Sequence, residues 1–167
     1  MSSVDFPRPN MGDSGDLESR APWELIYEYR PRVVQVVEYG ASAEAVLSRR
    51  TPPPPEGARF DLYLEGPVTG PRLTGTVKGV DYLYIRADGR AQLHIHARIA
   101  TEDGKSVALA ADGVAIPYEE SPVFQLRENV TLTTNHPELL WVNPIQIWAS
   151  GTVDVSNGQV HVKAYVA

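Results

Sequence analysis

Three dipeptides that favour tight β-turns punctuate the later part of the chain: Asp88-Gly89, Asp103-Gly104 and Asn157-Gly158. Each dipeptide lies between runs in which apolar and polar residues alternate, and this setting is the strongest short-range signal for a β-hairpin. Three such signals predict a meander of antiparallel strands. Short runs rich in Val, Ile, Leu, Tyr and Thr, separated by Gly, Pro, Asn and Asp, extend this pattern from Pro22 onward.

The alternating runs predict ten strands, at residues 23–30, 32–39, 60–64, 70–77, 80–87, 91–101, 106–116, 123–133, 145–155 and 159–166. Helix is predicted only for the Ala-rich residues 41–50, because the four prolines at 52–55 must end it. A second short helix or turn is predicted at residues 137–140, with Asn135 as its candidate cap. So many strands in one chain favour a closed or nearly closed antiparallel barrel, of about eight to ten strands, over a flat sheet with exposed edges.

Residues 1–21 differ in composition and in sequence pattern from the rest of the chain. Pro7, Pro9, Gly12 and Gly15 interrupt any period, and apolar residues are few. The sequence therefore predicts a flexible N-terminal arm followed by one β-barrel domain at residues 22–167. An arm of this kind can become ordered against a partner subunit, and we expect it to be dispensable for the barrel itself.

Composition excludes several classes of function. A formal net charge of −6, with no basic run, argues against nucleic-acid binding, which depends on attraction to phosphate. No apolar stretch approaches the roughly 18 residues of a membrane span, and residues 1–20 lack the features of a secretion signal. The chain has no cysteine, which removes disulfides, thiolate nucleophiles and cysteine metal sites. We expect a cytoplasmic protein without nucleic-acid or membrane partners.

The predicted strand at residues 91–101 carries the most informative side chains. Its alternation places His94, His96 and Arg98 on one face and apolar residues on the other. Two histidines two positions apart can chelate a metal or form an acid–base pair. Three interpretations remain open: an outward polar face, a face that lines a ligand cavity, and a metal site.

No metal and no cofactor are predicted. A metal site is the least favoured of the three interpretations, because no third ligand is supplied near the two histidines. The sequence also lacks a phosphate-binding glycine-rich loop, a serine nucleophile elbow and a dinucleotide fingerprint.

Aromatic residues supply further candidates. Tyr82, Tyr84 and Arg86 share a face of the preceding strand, which pairs with the histidine strand through the Asp88-Gly89 turn. If the two faces match, a tyrosine hydroxyl would lie beside an imidazole and form a proton-transfer pair. The alternative is a tyrosine girdle on the barrel exterior or at a dimer face.

A second aromatic segment follows near the C-terminus. Trp141 and Asn143 are expected in a loop over one barrel mouth, with Trp148 nearby, where they would bind a planar ligand by stacking and hydrogen bonding. The alternative for this segment is an aromatic plug that closes the end of the barrel.

Seven short motifs appear in a characteristic order: Phe60-x-x-x-Leu64-Glu65-Gly66, Gly70-Pro71-Arg72-Leu73-x-Gly75-x-Val77, Gly79-x-Asp81-Tyr82, Arg86-x-Asp88-Gly89, Thr101-x-Asp103-Gly104, Trp141-Val142-Asn143 and Val160-x-Val162-x-Ala164-Tyr165. Over roughly residues 23–167 the chain resembles the small bacterial and fungal barrel family DUF3237, also called UPF0311. The resemblance implies a closed β-barrel and self-association as a dimer or higher homo-oligomer. It implies little chemistry, because most members have no assigned activity. Members often have an acidic residue at the position of His94 and a basic one near His96, so the imidazoles suggest a branch with its own substrate.

The function favoured by the sequence is a cofactor-independent enzyme of secondary or catabolic metabolism. It would hold a carbonyl-bearing or aromatic molecule in the barrel and catalyse isomerisation, dehydration or hydration, or a guided cyclisation. The candidate catalytic residues are His94, His96, Tyr82, Tyr84 and Arg86, and the candidate substrate-binding residues are Arg98, Trp141, Asn143 and Trp148. A non-catalytic carrier or sensor and an assembly subunit are the alternatives.

This assignment requires the histidine face to point into the barrel. If it points outward, Leu93, Ile95 and Ala97 line the cavity instead, and the sequence then favours an apolar carrier or a shape-driven cyclase.

Overall fold

The computed structural model describes residues 23–166, in which nine strands form one closed antiparallel sheet. The strands are β1 (Glu24–Tyr29), β2 (Arg32–Glu38), β3 (Ala58–Thr69), β4 (Gly75–Ile85), β5 (Ala91–Thr101), β6 (Ser106–Pro117), β7 (Val123–Thr133), β8 (Ile147–Asp154) and β9 (Gln159–Val166). A short helix α1 (Ala43–Leu47) follows β2, and a 3₁₀ helix (Pro137–Val142) follows β7. The closed barrel predicted from the turns is confirmed. Neither helix of residues 23–166 has the length and apolar character needed to cross a membrane.

The barrel has eight strand positions although it contains nine strands. Strands β3 to β9 pair in sequence order, and β1 and β2 together fill the remaining position between β3 and β9. Pro31 separates β1 from β2, since its nitrogen has no hydrogen to donate to the ladder. On the facing strand, a Cβ on Gly66 would lie 2.4 Å from Pro31 Cα, so glycine is needed there for the close approach.

The hairpin predictions are confirmed at all three turns. Gly89, Gly104 and Gly158 have φ angles of 86°, 84° and 73°, in the left-handed region that glycine adopts without a steric penalty. The prediction of a break near Gly79 is wrong, because the two strands predicted at residues 70–77 and 80–87 form the single strand β4. Gly79 lies inside this strand, where a Cβ would stand 2.4 Å from Ala97 Cα on β5.

Both predicted helices are present with altered bounds. Helix α1 ends before the prolines, and the Ser42 hydroxyl caps it by accepting from the Ala45 amide. The 3₁₀ helix runs on to Val142, and His136 rather than Asn135 occupies its N-cap position. The predicted arm at residues 1–21 lies outside the described residues.

The two ends of the barrel differ in packing. Six fully buried apolar side chains fill the end next to the 3₁₀ helix: Val68, Leu73, Ile99, Val107, Leu132 and Val142. Helix α1 lies at the other end and packs Ala43 and Val46 against the core. The barrel therefore has one plugged end and one end that is closed only by a short helix and loops.

Candidate functional site

An internal cavity of about 300 Å³ lies in the half of the barrel nearer α1. Side chains from β1 to β9 line it, and nearly all are Val, Leu, Ile, Ala or Phe. The polar side chains of the lining are Tyr29, Asp81, Glu128 and Asn157. A mostly apolar cavity with a few convergent polar groups is the usual form of a small-molecule site.

Glu128 lies in the wall of this cavity because of its position in β7. The inward residues of that strand are Phe124, Leu126, Glu128, Val130 and Leu132, so the carboxyl group interrupts an apolar series. Only 3% of Glu128 is exposed. The Tyr29 hydroxyl donates a hydrogen bond of 2.9 Å to Glu128 Oε2, which joins β1 to β7.

Asp81 takes the equivalent inward position on β4 and is 5% exposed. Its Oδ1 accepts a hydrogen bond of 2.9 Å from the backbone N–H of His94 on β5. The β4–β5 ladder is interrupted between the Asp81–Ile95 and Tyr84–Gln92 pairs. The carboxylate therefore satisfies an amide at the place where a regular ladder partner is missing.

Burial raises the pKa of both carboxyl groups toward neutrality. The pKa of Glu128 rises to about 7, first because the group is desolvated and second because Asp81 lies near enough to repel its negative charge. The pKa of Asp81 rises to about 6, chiefly by burial, against the favourable effect of the His94 amide. The cavity thus holds two acids that change protonation state near neutral pH, which suits general acid–base chemistry.

Two tyrosines complete the polar cluster. Burial and the charge of Glu128 raise the pKa of Tyr29 well above its ordinary value, so its hydroxyl stays protonated and acts as a donor. Tyr27 stacks against it with ring centroids 5.8 Å apart. Among residues 23–166 the Tyr27 hydroxyl is the buried side-chain polar atom without a hydrogen-bond partner. This hydroxyl lies behind the cavity lining, which includes Tyr29 but not Tyr27.

The predicted histidine face lies on the outer surface of the barrel. His94, His96 and Arg98 are exposed, whereas Leu93 and Ile95 between them line the cavity. The hypothesis that this face points into the barrel is wrong, because the apolar set of the alternation is the one that fills the interior. The catalytic role assigned to the histidines stays a prediction that their position does not favour.

The structure does bring several of these predicted residues together outside the barrel. His94 Nδ1 lies 2.6 Å from Asp112 Oδ1, and the Nε2 atoms of His94 and His96 are 3.2 Å apart. The Tyr82 ring lies 6.3 Å and 6.2 Å from the two imidazole rings, centroid to centroid. This places a tyrosine beside imidazoles as predicted, but remote from the cavity. Within residues 23–166, no group of three or more His, Asp or Glu side chains is arranged to hold a metal ion.

Tyr84 and Arg86 take part in contacts at the rim of the barrel. The Tyr84 hydroxyl donates to the carbonyl of Glu56 at 2.8 Å, and Arg86 pairs with Asp88 at 2.8 Å within the hairpin turn. Both contacts hold loops in place. Neither side chain reaches the cavity lining.

The predicted aromatic mouth is instead a plug at the far end. Trp141 packs against the core, with the guanidinium carbon of Arg72 3.7 Å from its ring centroid. The Asn143 side chain accepts from the Thr134 amide and donates to the Thr134 carbonyl, each at 2.9 Å. Of the two interpretations of this segment, the aromatic plug matches the structure, and the mouth over a ligand site does not, since the plugged end lies opposite the cavity. Trp148 is 52% exposed on the outer wall.

The sequence analysis missed Tyr29, Asp81 and Glu128. For the two acids a signal exists in the alternation itself: each occupies the apolar face of its strand, where an unpaired charge is costly. A carboxyl group in an otherwise apolar series marks either a buried hydrogen bond or a functional group. Tyr29 has no comparable signal, because its partner lies 99 residues away.

A family model described as "Protein of unknown function (DUF3237)" matches residues 58–167. The chain belongs to the DUF3237 family. The matched DUF3237 region contains strands β3 to β9 and therefore Asp81 and Glu128, whereas Tyr29 on β1 precedes it. No curated protein gives a significant match to the chain.

Solved structures share the fold at low sequence identity. A protein of unknown function from Clostridium acetobutylicum ATCC 824 aligns with a TM-score of 0.71 and 19% identity, over 88% of this chain and 99% of its own. A β-barrel-like protein from Acinetobacter baumannii AYE gives 0.66 and 19%, over 86% and 94%. A structure described as an enzyme from Penicillium herquei gives 0.55 and 18%, over 87% and 96%. These likenesses establish a shared barrel fold.

Proposed function

We propose that this protein is a cofactor-independent enzyme that moves protons on a small, uncharged organic molecule inside its barrel. The substrate is a carbonyl-bearing or aromatic compound of secondary or catabolic metabolism. The reaction is an isomerisation, a dehydration or hydration, or a guided cyclisation. The observation that carries the proposal is Glu128, an acid with a pKa of about 7, held by Tyr29 in the wall of an apolar cavity.

The charge of the cavity selects the substrate class. Among residues 23–166, its lining contains two carboxyl groups and no Lys, Arg or His. An anionic substrate would meet the charge of Asp81 without a compensating cation in a site of low dielectric constant. A neutral molecule avoids this repulsion and gains from contact with the apolar walls.

Glu128 supplies the proton-transfer step. As a carboxylate it removes a proton from the carbon next to a carbonyl group, and the electron pair of the C–H bond moves to the carbonyl oxygen. As a carboxylic acid it returns the proton to the same carbon or to another one. No electrons enter or leave, so the step needs no redox cofactor. The Tyr29 hydroxyl bonds to Oε2 of Glu128, which leaves Oε1 for the substrate. A pKa near neutral pH suits both the removal of the proton by the carboxylate and its return by the carboxylic acid.

The comparisons add support at the level of the fold. One structure with the same barrel, from Penicillium herquei, is described as an enzyme. Barrels of this architecture can therefore carry catalysis, although fold alone does not define the reaction.

The test is deuterium uptake from D₂O into a panel of neutral cyclic ketones, such as 2-tetralone, followed by mass spectrometry. We expect wild-type protein to accelerate exchange at the carbon beside the carbonyl. Glu128→Gln should lose at least about two orders of magnitude in rate, which is the usual contribution of a general base. Glu65→Gln is the matched control, because this carboxylate lies exposed on the outer wall near Lys78. Full activity in folded Glu128→Gln would contradict the proposal, as would a wild-type rate no faster than buffer across the panel.

A non-catalytic carrier is the second candidate, favoured by the apolar lining that Leu93, Ile95 and their neighbours provide. A carrier binds the same neutral compounds but leaves them unchanged. Binding without deuterium uptake, equal in wild type and Glu128→Gln, would favour it.

A further inference from the structure

Helix α1 covers the end of the barrel that is not plugged. Ala43, Val46 and Leu47 are spaced i, i+3 and i+4, which places them on one face of the helix. Ala43 and Val46 are buried against the core, and Leu47 lines the cavity. The helix therefore forms part of the cavity wall rather than an appendage on the surface.

The cavity can be reached only from the end of the barrel near α1. Fully buried residues such as Leu73 and Val142 fill the opposite end. At the open end the lining includes Asn157 and Gly158 of the β8–β9 turn, and β2 pairs with β9 at a single position, Arg32 with Gln159. The longest connection at this end is residues 39–57, which contains α1; we call this stretch the covering segment.

The covering segment is anchored at both ends. At its start the Tyr39 hydroxyl donates to Asp61 Oδ2 at 2.7 Å, and at its end the Glu56 carbonyl accepts from the Tyr84 hydroxyl at 2.8 Å. Gly40 and Gly57 lie just inside these anchors, with φ angles of 97° and 79°. A Cβ on Gly40 would meet nothing within 4 Å, whereas one on Gly57 would collide with the Tyr84 hydroxyl and the Ile85 carbonyl. The segment is therefore open at Gly40 and packed at Gly57.

One side chain joins the middle of the covering segment to the opposite rim. Arg49 Nη2 donates to the carbonyls of Tyr118 and Ser121, at 3.1 Å and 2.9 Å, in the connection between β6 and β7. Arg49 has a φ of 63°, the left-handed conformation with which helices commonly end, and its N–H donates to the Val46 carbonyl at 3.0 Å. Its two side-chain hydrogen bonds are exposed, so water competes for them.

We propose that the covering segment is the gate of the cavity, in which Arg49 is the latch and Leu47 is the specificity-determining residue that limits substrate size. The inference rests on the proposed use of the cavity by a small molecule, but not on the chemistry of Glu128. Release of the two Arg49 hydrogen bonds lets the segment swing about Gly40, while the end at Gly57 stays anchored by Tyr84. The four prolines at 52–55 stiffen one arm of the segment, so α1 moves with it as a unit.

The first test follows the binding of prodan, a neutral fluorescent naphthyl ketone, by stopped flow. Arg49→Ala should raise the association and dissociation rates together by about tenfold, with little change in Kd, because the latch slows passage in both directions. Arg50→Ala is the matched control, since Arg50 bonds to Glu44 at 2.5 Å and to Ser48 at 3.1 Å inside the same segment. Arg49→Gly removes the latch at a position where glycine adopts the left-handed conformation without a steric penalty, so rates that match those of Arg49→Ala would assign the effect to the lost side chain.

The second test measures backbone hydrogen exchange without any ligand. Arg49→Ala should raise exchange at the α1 amides of Val46 and Ser48, while the amides of β5 and β7 stay protected. Leu47→Ala should bind naphthyl ketones with longer acyl chains at least about tenfold more tightly than wild type does.

Unchanged prodan binding rates together with unchanged hydrogen exchange at the α1 amides in Arg49→Ala would refute the gate proposal. Equal effects from Arg50→Ala would refute it as well. Prodan binding involves no proton transfer, so the Arg49→Ala rates report the gate whether or not the protein catalyses deuterium uptake. Failure of the gate is thereby distinguishable from failure of the proposed catalysis.

Discussion

The buried carboxyl group of Glu128 should make the free energy of unfolding depend on pH, and Glu128→Gln should remove its contribution to that dependence. Glu128 has an ordinary pKa of 4.5, and its folded-state pKa is about 7. The unfolded chain therefore releases this proton at lower pH than the folded protein does. Stability from the protonated carboxyl is fully present below about pH 4.5 and is lost as pH rises through 7.

The size of the effect follows from the shift. The two pKa values differ by about 2.5 units, and each unit corresponds to about 1.4 kcal/mol, so ionisation of Glu128 costs about 3 kcal/mol of folding free energy above pH 7. Glu128→Gln keeps the shape of the side chain and cannot ionise. We expect the variant to gain about 3 kcal/mol relative to wild type between pH 4 and pH 8.

The assay is urea unfolding of both proteins at several pH values, with the difference in unfolding free energy plotted against pH. Taking the difference cancels the titrating groups that do not interact with Glu128, so the curve reports Glu128 together with its neighbour Asp81. Glu65→Gln, an exposed control, should follow wild type within about 0.5 kcal/mol. A difference that stays flat with pH, or that favours wild type as pH rises, would refute the reasoning. Greater stability combined with lost activity would identify Glu128 as a functional rather than a structural acid.

Three further predictions follow from named contacts. Tyr29→Phe removes the hydrogen bond that lowers the pKa of Glu128, so that pKa should rise further, measured by the same difference method, at a stability cost of about 1 kcal/mol. Gly79→Ala should destabilise the barrel by about 1–3 kcal/mol in urea unfolding, since the added methyl meets Ala97 at 2.4 Å. His94→Ala and His96→Ala should each keep deuterium-exchange rates within about threefold of wild type, because they lie outside the cavity. A deuterium-exchange rate about a hundredfold lower in either variant would show that the mutated histidine takes part in catalysis.

The barrel was predictable because its signals are local. A tight turn such as Asp88-Gly89 depends on the conformational freedom of one glycine, and strand alternation depends only on neighbouring residues. The predicted break between residues 77 and 80 is wrong for the same reason, because local sequence does not distinguish a glycine inside a strand from one between strands. The contact that requires Gly79, with Ala97, is 18 residues away along the chain.

The site was less predictable because alternation separates the two faces of a strand without showing which one lies inside. The pattern of β5 separates His94 and His96 from Leu93 and Ile95, but the catalytic hypothesis required the imidazoles to face the interior, and they are exposed. The acid on the apolar face of β7 is the more informative feature, since a carboxyl group stays buried only where a hydrogen-bond partner such as Tyr29 compensates for the lost water. The pairing of Glu128 with Tyr29 depends on barrel closure, which brings the first and seventh strands together.

The most direct measurement of the central claim is a ¹³C NMR pH titration of the Glu128 side-chain carboxyl, assigned by its absence in Glu128→Gln. We predict a midpoint of about 7 in the free protein, which moves when a neutral ketone such as 2-tetralone occupies the cavity. A midpoint near the ordinary value of 4.5, unaffected by the ketone, would show that Glu128 is solvated and permanently ionised at neutral pH, and would contradict its role as the proton carrier.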